Sequence, residues 1–131
     1  MIFSKKKKPE KERTYQKKVG DFGEEIAVKY LKKQGYKIKG RNVYLGHKEI
    51  DILAKIKKKN VFVEVKTLVS DHSGHAEDLL GRLKVEKLRQ ALDYYLLKNK
   101  LDPENVRFDF IAIDIIKEQK IAKIRHYKDV L

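Results

Sequence analysis

Two short runs of alternating residues, four positions apart, constrain this chain more than anything else in it. In Lys48–Ile56, residues Ile50, Ile52, Ala54 and Ile56 share one parity, and Glu49, Asp51, Leu53 and Lys55 the other. In Val61–Thr67, Val61, Val63 and Val65 oppose Phe62, Glu64 and Lys66. A period of two marks strands that give one face to a core. Only Lys57-Lys58-Lys59-Asn60 intervenes, so the two runs read as an antiparallel hairpin.

Directly opposed residues of an antiparallel pair lie on the same side of the sheet. If the aliphatic residues of both strands share a core, paired residue numbers must add to an odd total. A loop over Ile56–Lys59 sets the partners: Ile50 with Val65, Ile52 with Val63 and Ala54 with Val61. On the opposite face Leu53 then meets Phe62, Asp51 meets Glu64, and Glu49 meets Lys66. Slipping by two residues changes partners but not faces.

That second face carries the chemistry. Two carboxylates with Cβ atoms ~5 Å apart repel one another. A shared proton, the nearby Lys66 or a divalent cation must offset the repulsion. Mg²⁺ is commonly held by one or two carboxylates together with water and phosphate oxygens. Asp51…Glu64-Val65-Lys66 has the form D…E-x-K, and one intervening residue is what lets Glu64 and Lys66 project from the same face. The reaction such a set serves is metal-assisted phosphodiester hydrolysis: carboxylates hold the ion, and a lysine orients the nucleophile or stabilises charge on the phosphate. An E-x-K pair by itself is more often a surface ion pair worth ~0–1 kcal/mol. The aspartate on the facing strand adds weight to the catalytic reading. Phe62 and Leu53 on the same face imply cover by a helix or by substrate.

Around the hairpin the pattern is mixed. Val19, Phe22, Ile26, Ala27, Tyr30 and Leu31 follow helical spacing until Gly35. Tyr36 and Ile38 open an extended segment that breaks near Gly40 and resumes at Val43-Tyr44-Leu45. Lys84–Asn99 reads as a second helix with Leu88, Ala91, Leu92, Tyr95 and Leu96 buried. Val106–Ile116 and Ile121–Tyr127 read as strands. A crossover from Val61–Thr67 through the second helix to Val106–Ile116 implies parallel pairing. The expected class is therefore α/β, a mixed central sheet flanked by helices.

Charge supplies the expected partner. The chain has 131 residues, and 32 basic against 19 acidic side chains give +13, a balance suited to polyanions. Residues 1–18 hold seven lysines and one arginine against two glutamates, with Pro9 and no apolar periodicity. They read as a basic, flexible arm, and residues 19–131 as one domain. Lys5, Lys6, Lys7 and Lys8 on the arm, with Lys84, Lys87, Arg89 and Lys98 on the second helix, are candidate nucleic-acid contacts; a solubilising arm and a solvated helix face are the alternatives. With no cysteine, no ~18-residue apolar run and no leader-like segment, no membrane association is expected, and a cytoplasmic location is. His72 and His75 in the polar stretch 70–81, and His47 elsewhere, make a poor zinc set without cysteine.

Several of these residues together resemble a known family. Gly20-Asp21-Phe22-Gly23-Glu24-Glu25-Ile26-Ala27, Gly35-Tyr36, Arg41-Asn42, Glu49-Ile50-Asp51-Ile52-Leu53-Ala54, Val61-Phe62-Val63-Glu64-Val65-Lys66-Thr67 and Arg107-Phe108-Asp109 resemble the YraN family. Those proteins are similar to the restriction-endonuclease-like PD-(D/E)-x-K superfamily and to archaeal Holliday-junction resolvases. The resemblance spans about residues 19–127. It implies a nuclease-type core, with Glu24, Asp51 and Glu64 as catalytic metal ligands and Lys66 as the catalytic lysine. Lys84 matches a lysine common in the family, and Glu49 is a further accessory candidate. Lys48 and Leu68 depart from the family pattern, which has Gly and Arg there, and Ile50 stands where the superfamily has its proline.

The leading expectation is a Mg²⁺- or Mn²⁺-dependent endonuclease acting on DNA, branched or otherwise structured. A homodimer is one way to cut two strands. The rival is a nucleic-acid-binding protein, of DNA or RNA, that keeps the fold without turnover. A third is a protein-interaction module.

Overall fold

Seven regular elements follow from these patterns in the computed structural model, which describes residues 9–70 and 85–131. Helix α1 (Glu10–Lys33) leads into strands β1 (Lys37–Leu45), β2 (Lys48–Ile56) and β3 (Lys59–Ser70). Helix α2 (Val85–Asn99) and a 3₁₀ turn (Pro103–Asn105) precede β4 (Val106–Ile116) and β5 (Ile121–Tyr127).

The five strands form one sheet in the order β1-β2-β3-β4-β5. β3 and β4 are parallel and the other neighbours antiparallel. Parallel neighbours need a crossover, and α2 lies within that connection. The fold is α/β, a mixed sheet with helices on its two faces, compatible with a restriction-endonuclease-like fold. On one face Ala27, Val28 and Leu31 of α1 pack on Ile52, Val61, Val63 and Ile111. On the other, Leu88 of α2 packs on Phe62, Val106 and Phe108. The alternation of β3 is what divides Val61 and Val63 from Phe62.

The hairpin takes the register that parity requires: Ile52 opposite Val63, Leu53 opposite Phe62, Ala54 opposite Val61. The break near Gly40 is a register shift between Ile38 and Gly40 in the β1–β2 ladder.

Three expectations need correction. The β2–β3 ladder ends at Ile52 and Val63, so Asp51–Glu64 and Glu49–Lys66 are not ladder partners. Ile50 packs instead with Leu45, Phe62 and Leu88 on the α2 side. Helix α1 starts at Glu10, so residues 10–18 are helical, not a flexible arm. Good helix formers with Glu10 and Glu12 in the first turn favour it, and an exposed turn with no apolar stripe leaves no periodicity to read. Phe22, expected in the buried stripe, is 57% exposed, because Gly23, Ala27, Val28 and Leu31 form the contact face instead.

Lys5, Lys6, Lys7, Lys8, His72, His75 and Lys84 lie outside the described residues. No described helix is long and apolar enough to cross a membrane.

Candidate functional site

The site begins where the β2–β3 ladder stops. Beyond Ile52, the Val65 N–H donates to Asp51 Oδ2 at 2.7 Å. A side-chain oxygen thus serves the backbone where a continued ladder would offer a carbonyl. The carboxylate is fixed in the plane of the sheet, half-buried, at the point where the strands part.

Glu64 projects on the α2 side and is only 3% exposed. Burial, then a side-chain hydrogen bond with Asp51 and the Asp51 charge, push its carboxyl up from 4.5 to about 8. The ammonium groups of Lys48 and Lys66 act in the opposite sense. Lys48 Nζ stands 3.3 Å from Glu64 Oε2. Sequence reasoning recorded Lys48 only as a departure from the family pattern and missed this ion pair. Its only signal was proximity to Asp51 along β2.

Glu24 approaches from the other helix. Gly23 brings α1 against β3: a Cβ built at Gly23 would lie 1.8 Å from Thr67 Oγ1. Glu24 is the next residue. Its pKa is raised, by burial first and then by the Asp51 charge, while Arg41 and Lys17 lower it. Its Oε1 is buried and has no hydrogen-bond partner among the described residues. Arg41 itself pairs with the neighbouring Glu25. Asp51 is therefore the common neighbour of both glutamates, in direct contact with Glu64 and electrostatically coupled to Glu24. Among the described residues, no three His, Cys, Asp or Glu side chains stand close enough together to enclose a metal ion. Asp51 and Glu64 are the two that meet, and they are the residues that could hold one.

Glu64 and Lys66 open onto a cleft of about 1600 Å³ between the β1–β2 turn, β3 and α2. Among the described residues, Lys48, Lys66, Lys87 and Lys98 line it, with Glu64 as the one carboxylate. Lys87 and Lys98 are three helical turns apart on one face of α2. Arg89, two residues from Lys87, points elsewhere on the helix and does not line the cleft. Glu49 is exposed and pairs with Tyr44 on β1; the β2–β3 ladder ends before it, so it is not opposite Lys66 in register.

With this geometry in hand, the known relatives become informative. The model of the uncharacterised protein family UPF0102 matches residues 23–113. The chain belongs to the UPF0102 (YraN) family. It is 40% identical over 111 residues to a UPF0102 protein of Flavobacterium psychrophilum, covering 85% of this chain and 91% of the relative. A UPF0102 protein of Syntrophotalea carbinolica is 40% identical over 115 residues, 87% and 92% of the two chains. One from Clostridioides difficile is 37% identical over 103 residues, 79% and 90% of the two.

The part of the chain matching UPF0102 includes Glu24, Asp51, Glu64 and Lys66. A second polar cluster, which the sequence did not reveal as one, lies partly within it and extends beyond it to His126 and Asp129. Asp109, fully buried on β4, accepts from Arg107 Nε and Nη2, both at 2.8 Å, from His126 Nε2 at 2.6 Å and from the Asp129 N–H at 3.0 Å. Tyr36 and Tyr30 hydroxyls complete it on Arg107 and His126. The Asp109 carboxylate draws these donors from within the protein, so in this UPF0102 protein the Arg107-Phe108-Asp109 motif ties β4, β5 and the end of α1 together.

Proposed function

We propose that this protein is a Mg²⁺- or Mn²⁺-dependent DNA endonuclease. The observation that carries it is the Asp51–Glu64 carboxyl pair, of which Glu64 opens onto a lysine-lined cleft. Two carboxyls in contact cannot both ionise without added positive charge. The donors of this pair are hard oxygens, which suit Mg²⁺ or Mn²⁺ completed by water and phosphate oxygens; Glu24, coupled to Asp51 only through its charge, is not part of that pair. A bound ion would supply Lewis-acid stabilisation of the phosphate and a more acidic water.

The chain's own residues do the rest. The Val65 N–H holds the Asp51 carboxylate in place. Lys66, exposed beside Glu64, reaches toward a phosphate oxygen and stabilises the negative charge that grows there. Lys48, Lys87 and Lys98 hold backbone phosphates and read no bases. Cutting both strands of a duplex would take two copies, and the work would be done in the cytoplasm.

Labelled duplex, flap and four-way-junction DNA incubated with the protein and Mg²⁺ or Mn²⁺ test this. Cleavage that disappears in both Glu64→Ala and Lys66→Ala is expected. Cutting that survives both substitutions rules the proposal out.

One observation favours a nucleic-acid-binding protein without turnover: the Lys48 ammonium already gives Glu64 a cation at 3.3 Å. Calorimetry with Mn²⁺ separates the two. Binding heat abolished by Asp51→Asn supports the nuclease; none at millimolar metal supports the binder.

A further inference from the structure

The cleft holds two large aromatic rings in water. Tyr44, on β1, is 67% exposed and Tyr94, on α2, is 63% exposed, and both line it. Neither has a ring partner among the described residues, whereas the adjacent Tyr95 packs edge-on against Phe62 with centroids 5.1 Å apart. Tyr95 therefore anchors α2, and Tyr94, one residue earlier, is turned outward. The segments that carry the two rings are also held close together, with Tyr44 on the strand face opposite Val43 and Leu45, which pack toward α2. Gly46, at φ +64°, turns β1 into β2 so close to α2 that a Cβ there would lie 3.3 Å from the Ala91 Cβ. Tyr44 lies two residues before that contact and Tyr94 three residues after it.

The lysines and the rings have different uses. Lys48, Lys66, Lys87 and Lys98 suit any polyphosphate backbone. Aromatic faces held in a cationic groove suit bases that are free to stack, and the bases of a duplex are already stacked on each other. A tyrosine needs only two torsions fixed to present its ring, so little order is lost on binding.

We propose that the cleft binds single-stranded DNA, with phosphates on its lysines and unpaired bases stacked on Tyr44 and Tyr94. This names the substrate class of the proposed nuclease and rests on that reading for its catalytic meaning: the strand passing Glu64 and Lys66 is an unpaired one, as in a flap or an open junction. Binding itself needs neither metal nor turnover.

The experiment is fluorescence anisotropy in EDTA, with a labelled thymidine dodecamer and a duplex of equal length. The single strand is expected to bind at least about tenfold more tightly. Tyr44→Ala and Tyr94→Ala each weaken it by about five- to a hundredfold, as loss of one stacked base would, and leave duplex binding unchanged. Tyr44→Phe and Tyr94→Phe keep the wild-type affinity. Lys87→Ala and Lys98→Ala weaken both ligands and reduce the salt dependence by about 0.7 per lost phosphate on the single strand. All four positions are exposed, and circular dichroism confirms the fold of each variant. Equal affinity for single strand and duplex, or alanine variants indistinguishable from wild type, overturns the proposal. Absence of cleavage with Mn²⁺ would overturn the nuclease alone and leave these binding results standing.

Discussion

Asp51 Oδ2 accepts the Val65 N–H at 2.7 Å, so one carboxylate both closes the β2–β3 ladder and anchors the acid pair with Glu64. Structure and candidate chemistry share this group, and substitutions can separate them. Asp51→Ala strands a buried N–H and should cost about 1–3 kcal/mol in urea unfolding. Asp51→Asn retains an acceptor oxygen and should stay within about 1 kcal/mol of wild type, yet lose Mn²⁺ binding in calorimetry. Equal losses of stability in the two variants would mean the bond is not what holds the strands here.

Glu64 predicts how stability depends on pH. Its folded pKa of about 8 is above the unfolded 4.5, chiefly through burial and then through Asp51. Between those values the folded state keeps a proton that the unfolded chain has released, so Glu64 makes metal-free stability fall as pH rises. Glu64→Gln stays neutral and lacks that loss. In EDTA, the Tm of Glu64→Gln relative to wild type should climb steadily from about pH 5 to about pH 8. A difference that is flat with pH would contradict the assignment.

Asp109 has the opposite sign. Burial opposes its ionisation, but bonds from His126, Arg107 and the Asp129 N–H outweigh burial and lower its pKa below 3.8. Its contribution is fully present above the unfolded pKa and is lost as pH falls below about 4. Asp109→Ala leaves Arg107 and His126 facing one another without the carboxylate, and should cost about 3–5 kcal/mol at neutral pH. The gap between wild type and variant should narrow on acidification to about pH 2, as followed by urea denaturation.

Gly23 predicts a packing defect with a functional consequence. The Cβ of Gly23→Ala would overlap Thr67 Oγ1, at 1.8 Å, and approach the Thr67 Cβ at 2.8 Å. Helix α1 must shift off β3, at a cost of about 3 kcal/mol or more, and Glu24 moves with it. Thr67→Ala in the same chain removes the nearest atom but leaves the Cβ contact, so it should restore part of the lost Tm. A Gly23→Ala variant as stable as wild type would show that α1 does not approach β3 this closely.

Much of the fold was legible because it is local. Period-two alternation set the faces of β2 and β3, parity set Ile52 opposite Val63, and one-residue spacing put Glu64 and Lys66 on the same side. The apolar runs of β4 and β5 marked their own bounds, and the break at Gly40 marked the irregularity in β1. The family motif singled out Asp51 and Glu64, which meet, Lys66, which shares a cleft with Glu64, and Glu24, which senses the Asp51 charge. Helix α1 was less legible: residues 10–18 are solvated, and Phe22 falls in an apolar rhythm whose true contact face is set by a glycine.

The amino-acid order by itself determined which side chains share a strand face, because successive residues of a strand must point to opposite sides. Only the tertiary structure decided where the hairpin opens at Asp51, that Glu64 is desolvated while Lys66 is not, that Lys48 reaches Glu64, and that Asp109 is fully enclosed by its donors. Burial and ion pairing are properties of what packs over a residue, and for these groups that partner comes from a distant part of the chain.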